Sequence, residues 1–149
     1  MGIDKRNIIL DQLLLPFNMY RTKNYFDQGE MVAFVVDRDP RDTFIINKYI
    51  WSKRNEPVPY PTDVKEFCMF YRGLRKMETP CEYENVHRIH FEDLVYNYDE
   101  TVKKVLHALG ETSDKHVKKH QKFNPEKSIE NTQMYLSNDE YLEEALIIE

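Results

Sequence analysis

The stretch Glu30–Lys53, EMVAFVVDRDPRDTFIINKYIWSK, constrains the fold more than any other. It opens with an apolar run, Met31–Val36, that is too short for a helix and rich in Val, which predicts a buried strand. The run stops in a charged knot, Asp37-Arg38-Asp39-Pro40-Arg41-Asp42. Pro40 suits the first turn of a helix, where its missing N–H costs nothing, and Asp39 before it is a good N-cap. Phe44, Ile45, Tyr49 and Trp51 then supply the apolar positions of a helix running to about Arg54. In an open α/β sheet, ligands bind just outside the carboxyl ends of strands. Arg38 and Arg41, placed there, suit an anion, because guanidinium binds phosphate through paired hydrogen bonds. The plainer reading is a turn whose arginines pair with Asp37, Asp39 and Asp42, an arrangement worth little at a surface.

With 149 residues, the chain is expected to form a single domain, residues 1–149, large enough to bury a core. A net charge of −5 argues against a nucleic-acid partner while leaving room for a local basic pocket. Asp4, Lys5 and Arg6 are not followed by a long apolar stretch, so no signal peptide is expected. The longest apolar run falls far short of a membrane span, so a cytoplasmic location without a membrane partner is expected. Cys68 and Cys81 form no CxxC or Cys/His cluster, which gives no sign of zinc; Cys68 sits in an apolar helical pattern and reads as a core residue. Only four glycines are present, although loops that cradle phosphate usually need them.

Upstream, Arg6–Pro16 is a second apolar segment. Ile8–Leu10 reads as a strand, or the whole piece as a short buried helix, and the pattern does not decide between them. Asn18–Asp27 predicts a helix stopped by Gln28-Gly29. Downstream, the prolines of Asn55–Thr62 mark a loop. A helix is expected from Thr62 to Met77, capped by Thr62 or Asp63, with Val64, Phe67, Cys68, Phe70, Tyr71 and Leu74 packed. Val86–Phe91 alternates and predicts a further strand. Tyr98–Leu109 has the clearest helical spacing, with Gly110 just beyond it. Ser113–Gln121 is expected to be a short basic helix and Phe123–Thr132 mostly loop. Asp139–Ile148 should be an acidic amphipathic helix with Tyr141, Leu142, Leu146 and Ile147 inside. His116 and His120, four apart, could face one way, but the three neighbouring lysines Lys115, Lys118 and Lys119 would repel a cation, so no metal is expected. This order of elements predicts an α/β layered domain with a parallel sheet.

Three elements occur in register: VVDRDPRD after a strand, HFEDLVYNYDETVKKVLHALG after a later strand, and Phe123-x-Pro-x-Lys-Ser-x-x-Asn near the C-terminus. In this order they resemble the sulfotransferases that use 3′-phosphoadenosine 5′-phosphosulfate (PAPS), bacterial members above all, from about Arg6 to Thr132. The resemblance implies a three-layer, P-loop-NTPase-like α/β fold with a parallel sheet. It implies an enzyme that moves a sulfuryl group from PAPS, its cosubstrate, to a hydroxyl or amine of a small-molecule or carbohydrate acceptor, with no metal. Arg38 would then bind the nucleotide 3′-phosphate beside Arg41, Phe91 would offer a stacking face by adenine, and Lys127 and Ser128 would belong to a loop over that phosphate. Animal cytosolic members carry Ser eight residues after the arginine; here Ile46 stands there, and Asn47 or Thr43 would have to replace it. The family's Gly-rich phosphosulfate loop and first strand have no counterpart before Asn7, so a C-terminal portion or a natural truncation is expected. The fold would then be incomplete at its N-terminus, with an unpaired sheet edge that favours a homo-oligomer. Asp11 is the candidate catalytic base, by likeness to members that use a carboxylate on the preceding strand. The alternative is a catalytically inactive nucleotide-binding or interaction module of the same fold.

Overall fold

The computed structural model describes residues 32–54, 57–77 and 85–148. The candidate strand Ile8–Leu10, the candidate helix Asn18–Asp27, Asp11 and Cys81 lie outside the described residues. Within them the chain is a helix-rich α/β arrangement around a small parallel sheet of two strands. Strand β1, Ala33–Asp37, pairs in parallel with β2, Val86–His90, from Ala33 opposite Val86 to Asp37 opposite His90. Burial along β1 is one-sided: Val35 is buried, whereas Val36 is 57% exposed. The apolar run therefore covers one face of the sheet rather than filling a space between two layers.

Helix α1, Pro40–Ile45, starts as the sequence predicts, with Pro40 in its first turn and the Asp39 side chain accepting from the Arg41 N–H at 2.9 Å. The helix does not run uniformly to Arg54. It widens to π winding over Ile46–Trp51 and tightens to a 3₁₀ turn over Ser52–Arg54. The wide segment coincides with a buried polar anchor. Asn47 is fully buried, and its amide donates to the Tyr60 carbonyl at 2.9 Å and the Pro61 carbonyl while accepting from the Tyr60 N–H. Three hydrogen bonds to one loop outweigh regular winding, since each would cost about 1–3 kcal/mol if left unmade in the interior. Trp51, expected to pack, is instead 39% exposed.

Helix α2, Val64–Met77, is capped by Asp63 rather than Thr62, whose neighbouring carboxylate accepts from the Lys65 and Glu66 N–H groups at 3.0 Å each. Its buried residues Val64 and Phe67 meet Phe44 and Ile45 of α1, and these four make the core. Phe44 and Phe67 lie 5.0 Å apart between ring centroids, and Tyr71 stacks on Phe67 at 5.4 Å. Phe70, expected inside, is 43% exposed. Helices α3, Phe91–Tyr96, and α4, Tyr98–Ala108, follow β2 directly. Gly110 ends α4 at a φ of +70°, a left-handed conformation glycine adopts without strain.

Two expectations about local structure are corrected. Ser113–Gln121 is not a helix; only Ser113–Lys115 forms a 3₁₀ turn, and His120 takes a positive φ of 62°. This basic stretch has no apolar stripe to bury, since Val117 is 82% exposed, so packing supplies nothing to offset helix nucleation. The stretch 123–132 is not mostly loop. Asn124 caps a short helix α5, Pro125–Ser128, by accepting from the Glu126 N–H at 3.0 Å, and a 3₁₀ turn Ile129–Asn131 continues it. A second 3₁₀ turn, Met134–Leu136, leads to helix α6, Asp139–Ile148. The expected face of α6 is rotated. Ala145 is buried and Tyr141 and Ile148 pack on the core, while Leu146 and Ile147 are 60% and 48% exposed. The rotation brings Tyr141 against Tyr49, 4.3 Å between centroids, and places Glu140 and Glu144 to accept from the Tyr49 hydroxyl. No described helix is long and apolar enough to cross a membrane.

Replacing Phe67, fully buried among aromatic neighbours, should be the most damaging single truncation. Phe67→Ala is expected to lower the unfolding free energy by ~3–5 kcal/mol, read from urea titration by circular dichroism.

Candidate anion-binding site

The carboxyl end of β1 delivers Arg38 to a point where three separate parts of the chain meet. The guanidinium carbon lies 4.7 Å from the centroid of the Phe91 ring, at the start of α3. Nη2 donates to the backbone carbonyl of Asn131, ninety-three residues away in sequence. Nε is buried and has no hydrogen-bond partner among the described residues. An orphaned buried donor costs about 1–3 kcal/mol, which an oxyanion placed against it would recover. Burial pulls the Arg38 guanidinium below its ordinary value, and the charges of Asp42, Glu92 and Asp39 oppose that. Arginine stays cationic at neutral pH under such a shift.

Asp37, Asp39, Asp42 and Glu92 around it are engaged within the protein. Asp39 holds Arg41 through contacts of 3.0 Å from Nε and 2.7 Å from Nη2. Its backbone N–H donates to Glu92 Oε1 at 2.9 Å, which fastens the strand-to-helix turn after β2 onto the turn after β1. Burial would raise the Asp39 carboxyl, but the Arg41 hydrogen bonds outweigh it and hold the group below the usual value. Asp37 is clamped by Arg75 from α2 and Arg88 from β2. Burial would raise its pKa too, and the two guanidiniums again win. Asp42 is 1% exposed and accepts from the Gln133 and Met134 N–H groups at 2.7 Å each. These bonds pin the chain where Gln133 adopts a positive φ of 54°. Burial pushes the Asp42 carboxyl up despite these donors.

Beside Arg38 opens a cleft of about 670 Å³, lined by both ends of the DRDPR turn together with Arg75, His90, Glu92 and Asp93. Arg41 lines it as well, but its guanidinium is folded back on Asp39 and lies 4.2 Å from the Tyr135 ring, so its charge is already compensated. Phe91 supports Arg38 from one side and is not part of the cleft wall. It meets Phe123 edge-on at 6.1 Å, and Phe123 stacks parallel to Tyr98 at the same separation. Asn47 is corrected as a site residue, because it is fully buried and its amide is bonded to the loop at Tyr60 and Pro61. Lys127 and Ser128 lie on α5, away from the residues lining the cleft. Their helix packs on α3, and the turn that follows it carries the Asn131 carbonyl that reaches Arg38. Glu92, Asp42, Phe123 and the Asn131 carbonyl were missed in the sequence reading. Glu92 stands in the HFEDL element, and Phe123 and Asn131 open and close the Phe-x-Pro-x-Lys-Ser-x-x-Asn element, but a backbone carbonyl and a buried aspartate carry no sequence signal of their contacts. Among the described residues no group of three or more potential ligands converges to hold a metal. Comparison with known protein families, with characterised proteins and with solved structures returned no match.

Removing the Asp42 clamp leaves two part-buried backbone N–H groups without their acceptor. Asp42→Ala is expected to cost ~2–3 kcal/mol of stability in urea unfolding and to raise amide exchange at Gln133 and Met134, read by hydrogen-exchange NMR. Asp37, with its depressed pKa, contributes stability that is fully present above the ordinary carboxylate value of 3.8. That contribution fades as pH falls from there through the lowered folded value. Unfolding free energy measured from pH 6 to pH 2 should therefore drop less steeply below pH ~4 in Asp37→Asn than in the wild type.

Proposed function

We propose that the cleft at the carboxyl end of β1 takes the 3′-phosphate of PAPS, and that the chain is a PAPS-dependent sulfotransferase-type α/β domain of P-loop-like architecture. The observation that carries this reading is the setting of Arg38: stacked on Phe91, tied to the Asn131 carbonyl, and left with a buried Nε that lacks a partner among the described residues. The three sequence elements that resemble sulfotransferases are far apart in the chain, and each supplies one of these contacts. The aromatic series Phe91, Phe123 and Tyr98 continues away from Arg38 and suits a purine face.

In this reaction an acceptor hydroxyl or amine attacks sulfur, the bond from sulfur to the bridging phosphate oxygen breaks, and adenosine 3′,5′-bisphosphate leaves. Arg38 contributes binding and alignment at the far end of the donor, which serves transfer by fixing the in-line geometry. The acceptor's proton passes to a base, for which Asp11 is the candidate outside the described residues. In the same reading Arg41 lines the cleft beside Arg38, and Lys127 and Ser128 stand on the helix that leads into the turn carrying the Asn131 carbonyl.

Titration calorimetry with adenosine 3′,5′-bisphosphate tests the site. Arg38→Ala should weaken binding by at least about tenfold, the scale of one charge-assisted hydrogen bond, and Arg38→Lys should recover only part, since an ammonium cannot form the paired contact. Adenosine 5′-monophosphate, which lacks the 3′-phosphate, should be indifferent to Arg38→Ala. Equal affinity of wild type and Arg38→Ala for the bisphosphate would overturn the placement. Binding without sulfuryl transfer from PAPS to any of a panel of phenols, alcohols and amines would leave a nucleotide-binding module of this fold.

A further inference from the structure

A second groove, of about 680 Å³, runs between β2 and one side of α4, and the nucleotide reading makes no use of it. Its floor is apolar, from Val86 and Ile89 of β2 and from Val105 and Ala108 of α4. One wall is an aromatic pair formed across the sheet. Phe34 and His87 are register partners on β1 and β2, and their rings stack at 5.5 Å with 29° between planes. Basic residues edge the groove: Arg88, Lys103, Lys104 and His107. Asp93 is the one acid among the described residues that line it.

The arginine and the lysines among them differ in what already holds them. Arg88 is bonded to Asp37 at 2.7 Å, and Lys103 to Glu100 at 2.6 Å, three residues back on α4. Lys104 has no ion-pair partner among the described residues, and His107, three residues on, shares its side of the helix. The groove thus offers one ammonium, that of Lys104, not held by an ion pair among the described residues, beside an apolar lining and a ring face. A phosphate or sulfate ion would leave that floor and ring pair unused, and a neutral aromatic would leave Lys104 unused. A volume of this size is ordinary for a small-molecule site built from an apolar lining with a few placed polar groups.

We propose that this groove binds an aromatic monoanion, its ring against the Phe34–His87 pair and its carboxylate or sulfonate at Lys104 and His107. The site is separate from Arg38 and does not depend on the nucleotide reading.

Isothermal titration of the full chain with 2-naphthoate tests it, with neutral 2-naphthamide and inorganic sulfate as comparison ligands. Saturable naphthoate binding is expected, at least ~10-fold tighter than naphthamide, with sulfate unable to displace it at equal concentration. Lys104→Glu, at an exposed helix position, should weaken naphthoate by at least ~10-fold while keeping the wild-type circular dichroism spectrum and melting temperature within a few degrees. His87→Ala should weaken naphthoate and naphthamide alike, because it removes part of the ring face. Arg38→Ala and saturating adenosine 3′,5′-bisphosphate should leave naphthoate affinity unchanged. The proposal is overturned by any of three results: no saturable heat at millimolar naphthoate, equal affinity of Lys104→Glu and wild type, or displacement of naphthoate by the bisphosphate.

Discussion

The buried carboxylate of Asp42 is the contact on which the rest of the site depends. It sits one turn into α1 and accepts two backbone N–H groups from residues more than ninety positions later. Those two bonds hold the positive-φ turn at Gln133 and fix where the preceding and following segments lie. Before it, the Ile129–Asn131 turn is set so that its last carbonyl meets Arg38, and Thr132 is held by the Tyr96 hydroxyl at 2.6 Å. After it, Tyr135 comes under Arg41 and α6 docks on the core through Tyr141, Ala145 and Ile148. A side chain that lost this role would leave the C-terminal quarter of the chain without its registration on α1. The raised pKa of Asp42 is the cost of placing a carboxylate so deep, and its two short N–H donors offset that cost.

Charge is organised around the same turn by sequential compensation. Asp37 takes two arginines from different elements, Asp39 takes Arg41, Asp42 takes backbone donors, and Glu92 takes the Asp39 N–H. Arg38 is the exception, since its Nε is buried without a partner among the described residues and its flat face rests on an aromatic ring rather than a carboxylate. An arginine treated this way keeps its hydrogen-bonding capacity in a partly desolvated place, where a bound oxyanion gains most. The basic groove beside α4 follows another scheme, in which cations border an apolar floor. The two proposals differ accordingly in ligand: a phosphate held by directed donors, against a ring carrying one charge.

Much of the local structure was legible. Asp39 and Pro40 announced the start of α1, Gly110 the stop of α4, and the Val-rich run a strand, because each depends on neighbours a few residues away. That Arg38 and Phe91 stand just past the two strand ends was also readable, whereas their contact with each other was not. Asn124-Pro125-Glu126 carried a cap signal equally clear in principle, but it lay in a stretch without apolar periodicity and read as loop. Asn47 misled for the opposite reason. Its position relative to Arg38 suggested a phosphate contact, whereas its environment is decided by a loop thirteen residues on that needed a buried amide.

By itself the sequence determined the charged strand-to-helix turn, the aromatic after the second strand and the boundaries of α2, α4 and α6 to within about two residues, all of which follow from capping, backbone preference and periodicity within one segment. Tertiary structure alone decided which face of α6 is buried, the widened winding after Ile45, the Asp42 clamp and the meeting of Arg38 with Asn131. Those features bring together groups between thirteen and ninety-three residues apart. Their partners are selected by burial and by the need to satisfy every polar group taken out of water, and neither pressure acts on a segment until the segments have packed.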